Sequence, residues 1–229
     1  MIEGFLHIDK PTGITSYDVI RHLKRLLPKG TKIGHAGTLD PLATGLLIIG
    51  IGRSATKQFA DMIKLDKEYK VTALLGKTYD TQDITGKLLE EKDTSKITRE
   101  AIIEVIKKFK GEIEQIPPMY SAIKHKGQPL YKLARKGVEV VRKARMVNIH
   151  SIEITSFELP RVKLRISCSS GTYIRTLVDD IGKELKVGAS VEELRRTKID
   201  NFSIKQATVL EKIQTEDDIK NLCHVEQRS

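Results

Sequence analysis

The sequence predicts an α+β fold built on a mixed, mainly antiparallel sheet flanked by helices. Three observations lead to it. Helical and strand-like patterns succeed one another without the regular alternation that a parallel βαβ sheet requires. Residues 145–157 and 161–168 read as paired antiparallel strands on either side of Pro160. The run GLLIIGIG (45–52) is apolar but bounded by glycines, which suits a buried strand better than a helix.

Taken in order, FLHI (5–8) is a short strand ended by Asp9-Lys10-Pro11. Thr15 or Ser16 caps an amphipathic helix that runs to about Leu27, with Val19, Ile20, Leu23, Leu26 and Leu27 on its apolar face. Pro28-Lys29-Gly30 stops that helix. Residues 33–45 are glycine-rich and loop-like, and the apolar strand comes next. A second helix is expected over 54–63, and EYKVTALLG (68–76) alternates as a strand. TYDTQDITG reads as a turn-rich loop. Thr98 caps a helix that ends near Phe109, and residues 111–137 read as irregular or partly helical. After the strand pair, Ser169-Ser170-Gly171 opens a helix from Thr172 to Leu185. Ser190 and Glu193 form a capping-box pattern that predicts one more short helix. The acidic tail after residue 205 is expected to hold one helix. No linker divides the chain, so residues 1–229 are expected to form a single catalytic domain.

Composition narrows the class. The 229 residues are 39% hydrophobic and 31% charged, ordinary for a globular protein with its own core. No run approaches the roughly 18 apolar residues of a membrane helix. The start, MIEGFLHIDK, lacks the apolar core of a secretory signal. Cys168 and Cys223 have no metal-ligand spacing, which points to a reducing compartment and no zinc site. A cytoplasmic protein is expected, with no cofactor and no metal.

The net charge of +10 favours a polyanionic partner, because Lys and Arg displace counterions from phosphates. The excess is local. Residues 120–145 hold eight bases (Lys124, Lys126, Lys132, Arg135, Lys136, Arg142, Lys143, Arg145) against the single acid Glu139. Tyr120 and Tyr131 lie among them, a mixture suited to gripping phosphates and stacking on bases.

The most unusual stretch is GHAGTLDPLATG (34–45), where Asp40 stands between Leu39 and Pro41 in a glycine-rich loop. Pro41 disfavours helical geometry at Asp40. Taken alone, such an aspartate reads first as a turn residue accepting backbone N–H bonds. Two further stretches stand out: Lys67-Glu68-Tyr69 at a strand start, and Gly171-Thr172-Tyr173-Ile174-Arg175 at a helix start.

In this order the stretches resemble the TruB-type tRNA pseudouridine synthases. The matching blocks are GFLHIDKPTGITSYDV, GHAGTLDPLATG, DKEYKV, LGKTYDTQDITG, QIPPMYSAIKHKGQPLYKLARKG, CSSGTYIRTLVDDIG and LRRTKIDNF, covering residues 4 to about 204. The resemblance implies a pseudouridine synthase fold with an inserted RNA-clamping segment at about 111–145. It makes Asp40 the catalytic aspartate, Tyr69 the ring that stacks on the target base, and Arg175 the partner that orients Asp40. His35 looks like the residue that enters the T loop. Lys10 and Pro11 match a motif that buttresses the site, and Leu194 matches an apolar contact near the target. Tyr120, Lys124, Lys132, Arg135, Lys136 and Tyr173 complete the expected RNA-binding set. Members of the family often continue into a C-terminal PUA domain; here the match fades into the 205–229 tail, and no PUA domain is expected.

The resemblance therefore implies an isomerase that converts the T-loop uridine at position 55 of tRNA to pseudouridine. The partner is the T arm of tRNA, and a monomer needing no protein partner is expected. Two other readings stand beside it: a synthase acting on another RNA, and a non-catalytic RNA-binding protein or tRNA-folding chaperone.

Overall fold

A computed structural model describes residues 2–224. The chain folds into two compact units, one made of residues 1–70 and 194–229 and the other of residues 71–193. The chain passes between them inside two strands. Among the described residues, no helix is long and apolar enough to cross a membrane.

The first unit begins with β1 (Gly4–Lys10), α1 (Ser16–Leu26), β2 (Ile33–Ala36), β3 (Thr44–Ile51), α2 (Gly52–Lys57) and α3 (Phe59–Met62). β4 (Lys67–Leu75) leads into the second unit. That unit holds β5 (Lys77–Tyr79), β6 (Leu88–Glu91), α4 (Arg99–Lys107), β7 (Gly111–Gln115), β8 (Lys124–His125), β9 (Gln128–Pro129), α5 (Leu130–Ala134), β10 (Arg145–Glu158), β11 (Arg161–Cys168) and α6 (Ile174–Glu184). β12 (Ala189–Ile199) returns to the first unit, which ends with β13 (Phe202–Ser203), β14 (Thr208–Val209) and α7 (Glu216–Leu222). Residues 225–229 of the expected tail lie outside the described residues.

In the first unit the strand order is β14-β1-β3-β12, with β2 also on β3 and β13 on β12. β1 and β2 run antiparallel to β3, whereas β12 runs parallel to it through Arg195–Thr44 and Arg196–Gly45. The sheet is therefore mixed, as the sequence predicts. Thr15 starts α1 with a reciprocal cap: its hydroxyl accepts from Asp18 N at 3.1 Å, and Asp18 accepts from Thr15 N at 2.8 Å. Val19, Ile20 and Leu23 of α1 are buried. Phe5, Leu46, Ile48, Ala55, Met62 and Ile199 form a shared core. The ring of Phe59 packs so closely on Gly34 and Gly50 that a Cβ at either would lie 2.7 Å from it. Those glycines let β2 and β3 sit under an aromatic lid.

In the second unit β7-β10-β11 form an antiparallel run, with Arg145–Gln115 and Ile152–Ile166 among the paired residues. β4 is next to β11 in sheet order. Ile102, Val105 and Ile106 of α4 are buried, and Thr98 caps that helix as expected.

Several expectations are corrected. Residues 189–199 form β12, not a short helix. Ser190 instead accepts from Tyr79 N at 3.2 Å, and Glu193 accepts from the Thr72 hydroxyl at 2.7 Å. Val191, Leu194 and Ile199 are buried, which outweighs a local capping signal. Residues 33–36 are the strand β2, held by β3, and the loop begins only after Ala36. The 54–63 helix is two short helices broken at Gln58. Residues 111–115 are β7, and 77–79 are β5 paired with β6. Residues 124–129 form a hairpin whose tip, Lys126-Gly127, has both φ values positive (47° and 83°), the twist a two-residue turn needs.

Candidate active site

The Asp40 loop belongs to the first unit and spans the gap between β2 and β3. Its backbone is anchored along its length. Ser16 Oγ accepts from Leu39 N at 2.9 Å and donates to Leu39 O at 3.1 Å. Asp40 O accepts from Ala43 N at 3.1 Å, closing a turn around Pro41. Gly13 N donates to Pro41 O at 2.8 Å, and the Thr12 hydroxyl donates to Leu42 O at 3.0 Å. The turn after β1 and the start of α1 thus hold the residues on both sides of Asp40. This is a rigid platform for one half-buried carboxyl group.

Arg196 completes the frame from β12. Its Nε donates to Leu46 O at 2.8 Å and its Nη2 to Gly37 O at 2.9 Å, so one guanidinium ties both ends of the loop. Arg196 is 1% exposed. Gly45 fits only as glycine here: its φ is 103°, and a Cβ would fall 2.2 Å from Arg196 O.

Lys10 ends β1 beside this loop and is fully buried. Its ammonium donates to Pro11 O at 2.8 Å and Ile14 O at 2.7 Å. Burial pushes its pKa down to about 8, and the negative charge of Asp40 opposes that fall. Lys10 thus braces the 11–14 turn and presents no exposed surface. Asp9, its neighbour, takes a two-bond grip from Arg195 at 3.0 and 2.6 Å.

The other expected residues of the first unit lie on its strands. His35 sits on β2, half-buried, and Nδ1 of its ring has no hydrogen-bond partner. Burial and then the charge of Arg196 lower its pKa, so the ring is neutral at pH 7. Tyr69 on β4 is 8% exposed, and Leu194 on β12 is 9% exposed.

Arg175 belongs to the second unit, in the first turn of α6, and is 4% exposed. Its Nη1 donates to Thr81 O at 2.6 Å and its Nη2 to Tyr120 O at 2.7 Å. Asp83 Oδ2 lies 3.7 Å from its Nε. Asp83 is itself 5% exposed and fixed by its own turn: Oδ1 accepts from the hydroxyls of Thr81 at 2.9 Å and Thr85 at 2.5 Å. Gln82, in left-handed backbone geometry at φ 63°, accepts from the Thr176 hydroxyl at 2.9 Å and donates to Asp179 at 2.9 Å. One face of α6 is therefore polar and buried, unusual for a core helix. Such a face is maintained only when every group finds a partner.

The helix start carrying Arg175 is held by Gln115. Its side chain accepts from Tyr173 N at 2.8 Å and donates to Tyr173 O at 3.0 Å. The ring of Tyr173 is covered by the Arg145 guanidinium, 4.8 Å from its centre.

The 120–145 segment of the same unit is a basic surface. Lys124, Lys126, Lys132, Arg135 and Lys136 are exposed. Among the described residues, none of these five has a carboxylate within salt-bridge reach; Arg142 does, in Glu139 at 3.2 Å. Arg135 lies over the Tyr131 ring at 5.6 Å. Buried Leu130 anchors α5, and its backbone N donates to Ile123 O at 2.7 Å.

Sequence reading gives no site role to Ser16, Asp83, Gln115 or Arg196, although each lies within a matching block. Asp83 carries a signal, since Thr-x-Asp-x-Thr is the spacing of a self-bonded turn. The others reveal themselves only through what they touch across the fold.

The comparisons with known proteins bear on the family and the fold. A model of the N-terminal domain of TruB family pseudouridylate synthases matches residues 24–174, and one of the tRNA pseudouridylate synthase B C-terminal domain matches 175–224. A tRNA pseudouridine synthase B of Clostridium tetani is 50% identical over 94% of this chain and 74% of its own length. Another, of Endomicrobium trichonymphae, is 50% identical over 90% of this chain and 89% of its own. Among solved structures, a Cbf5-Nop10-Gar1 complex superposes with a TM-score of 0.70 at 32% identity over 91% of this chain. An H/ACA RNP bound to a substrate RNA containing 2′-deoxyuridine gives 0.67 at 28%. This chain spans about half of each matched chain, 52% and 51%.

Proposed function

The chain belongs to the TruB family of pseudouridylate synthases, and from that premise we propose that it isomerises the T-loop uridine of tRNA to pseudouridine with Asp40 as the catalytic carboxylate. The observation that carries the proposal is the Asp40 loop. Its backbone is tied down from Gly37 to Leu46, so the carboxyl group is presented from a fixed frame. Reacting groups gain most from such fixed placement.

The reaction breaks N1–C1′ of the nucleotide and forms C5–C1′; C5 gives up its proton and N1 gains one. No electrons leave the substrate. The base must come out of the stack and turn while held. Extrusion costs a few kcal/mol, and stacking on an aromatic ring returns about 1–3 kcal/mol. Tyr69 is assigned that stacking, Asp40 the chemistry at the nucleotide, and Arg175 the orientation of the carboxylate in the reaction. His35 is assigned to the space the extruded nucleotide leaves; a neutral ring can stack there without carrying charge into the RNA. Lys124, Lys132, Arg135 and Lys136 are assigned to T-arm phosphates, with Tyr120 and Tyr173 beside them. On this reading the catalytic machinery is complete within the chain, and the protein acts without a protein partner.

Relatives named tRNA pseudouridine synthase B reach 50% identity, against 28% for the H/ACA RNP bound to a substrate RNA, which favours tRNA over another RNA. The test is to incubate the chain alone with an unmodified tRNA transcript and map pseudouridine chemically. Modification at the T-loop uridine supports the proposal. Modification elsewhere, or none, rejects it.

A further inference from the structure

We infer that Arg196 is a positioning residue for the proposed reaction: it ties the two ends of the Asp40 loop together and fixes where that carboxyl group points. The inference rests on the assignment of Asp40 as the reacting group.

Three features of the first unit carry it. The Arg196 guanidinium reaches two carbonyl oxygens nine residues apart, Gly37 O at 2.9 Å and Leu46 O at 2.8 Å, one on each side of Asp40. A guanidinium holds its N–H donors on separate nitrogens of one rigid plane and so bridges two spaced acceptors in a fixed geometry, whereas an ammonium carries all its donors on one freely rotating nitrogen. The backbone of Arg196 takes part too. It pairs with Gly45 in the parallel ladder of β12 and β3, so closely that no side chain fits at Gly45. Strand pairing and side chain thus fix the same loop from one residue.

The third feature is the company Arg196 keeps. It is 1% exposed and, among the described residues, has no carboxylate within salt-bridge reach; its two polar partners are backbone oxygens. A charge buried with only carbonyl partners is expensive to maintain. A neutral amide could donate to one of these oxygens without burying a charge. Lys10, the second fully buried cation beside the loop, also donates only to carbonyls. Two buried cations with backbone partners therefore frame the loop of one acid, Asp40. Their placement suits a loop whose carboxylate must hold its direction.

The test uses Arg196→Lys and Arg196→Gln in the full chain, with Asp40→Asn as control. Three quantities are read: single-turnover rate on saturating unmodified tRNA, tRNA affinity, and hydrogen exchange over residues 37–46. Misplacing a reacting group by about 1 Å can cost about a hundredfold in rate. Arg196→Lys is expected to keep a cooperative melt and tRNA affinity within about threefold, while the rate falls about a hundredfold and exchange rises selectively in the loop. Arg196→Gln, which keeps one amide donor, should behave likewise. A rate within about threefold of wild type in a folded variant would overturn the inference. So would parallel loss of rate, affinity and cooperativity, or failure of both variants to fold, since Arg196 would then be a residue of the core alone. If Asp40→Asn itself stays active, the assignment of Asp40 is what fails.

Discussion

The hydroxyl of Ser16, at the start of α1, exchanges two hydrogen bonds with the backbone of Leu39, the residue before Asp40: Oγ accepts from Leu39 N at 2.9 Å and donates to Leu39 O at 3.1 Å. Both residues are buried. The first helix of the chain is in this way fastened directly to the loop assigned to catalysis.

Ser16→Ala removes both bonds and leaves a buried N–H and C=O unpaired. The expected loss of stability is about 1–3 kcal/mol, measurable by urea unfolding. The rate on saturating tRNA should fall about tenfold, equivalent to about 1.4 kcal/mol in the barrier, with little change in affinity. Unchanged stability and rate would mean that the Ser16 bonds do not secure the loop.

Arg175→Lys keeps the charge and loses the fork that reaches Thr81 O and Tyr120 O together. Turnover should fall by at least about tenfold, about 1.4 kcal/mol, while tRNA affinity changes little. Collapse of affinity with turnover intact would make Arg175 a phosphate contact.

The basic segment separates grip from chemistry. Lys132, Arg135 and Lys136 are exposed and have no carboxylate within salt-bridge reach among the described residues. If they neutralise phosphates, each contributes roughly 0.7–0.9 to the slope of log affinity against log salt. Replacing all three with Gln should weaken binding and flatten that slope by about two units. Single-turnover rate at saturation should hardly move. An unaltered slope would sink the phosphate-contact assignment and leave Asp40 untouched.

Lys10 gives a pH signature. Its pKa in the folded chain is about 8, below the ordinary 10.5, because burial disfavours the ammonium. Below pH 8 both folded and unfolded forms carry the proton, and the burial cost is present in full. Between about 8 and 10.5 the unfolded chain binds more proton than the folded one, so this contribution to stability rises with pH. Urea unfolding of wild type and Lys10→Met at about pH 7 and about pH 9.5, on either side of the folded value, checks it. The difference should move in favour of wild type at the higher pH. A constant difference would contradict the depressed pKa.

Much of the fold is legible because the signals are local. The Thr15 cap, the alternating 145–168 pair and the glycine-bounded β3 each announce themselves within a few residues. β12 reads falsely as a helix because Ser190 and Glu193 stand at capping-box spacing, yet their side chains bond Tyr79 and Thr72, far away in sequence. The 111–115 strand lacks any alternating apolar signal, since it is largely exposed and defined by its partner β10. At the candidate site, motifs pick out Asp40, Tyr69 and Arg175. They leave Ser16 and Arg196 without a role, because their bonds to the loop cross 23 and 150–159 residues of sequence. A motif points to the groups proposed to meet the substrate and says little about those that hold them.

The central claim is that Asp40 is the essential carboxylate of a tRNA pseudouridine synthase, and Asp40→Asn tests it most directly. Asn has nearly the same shape but neither the charge nor the nucleophilicity. The measurement is the single-turnover rate of pseudouridine formation on saturating unmodified tRNA, with binding followed in parallel. A folded variant that binds tRNA like wild type, with a rate below about one hundredth of it, is the predicted result, since an essential carboxylate is worth more than an acid–base assistant at about 10²–10⁴. A variant that binds normally and keeps more than about a hundredth of the rate would contradict the account.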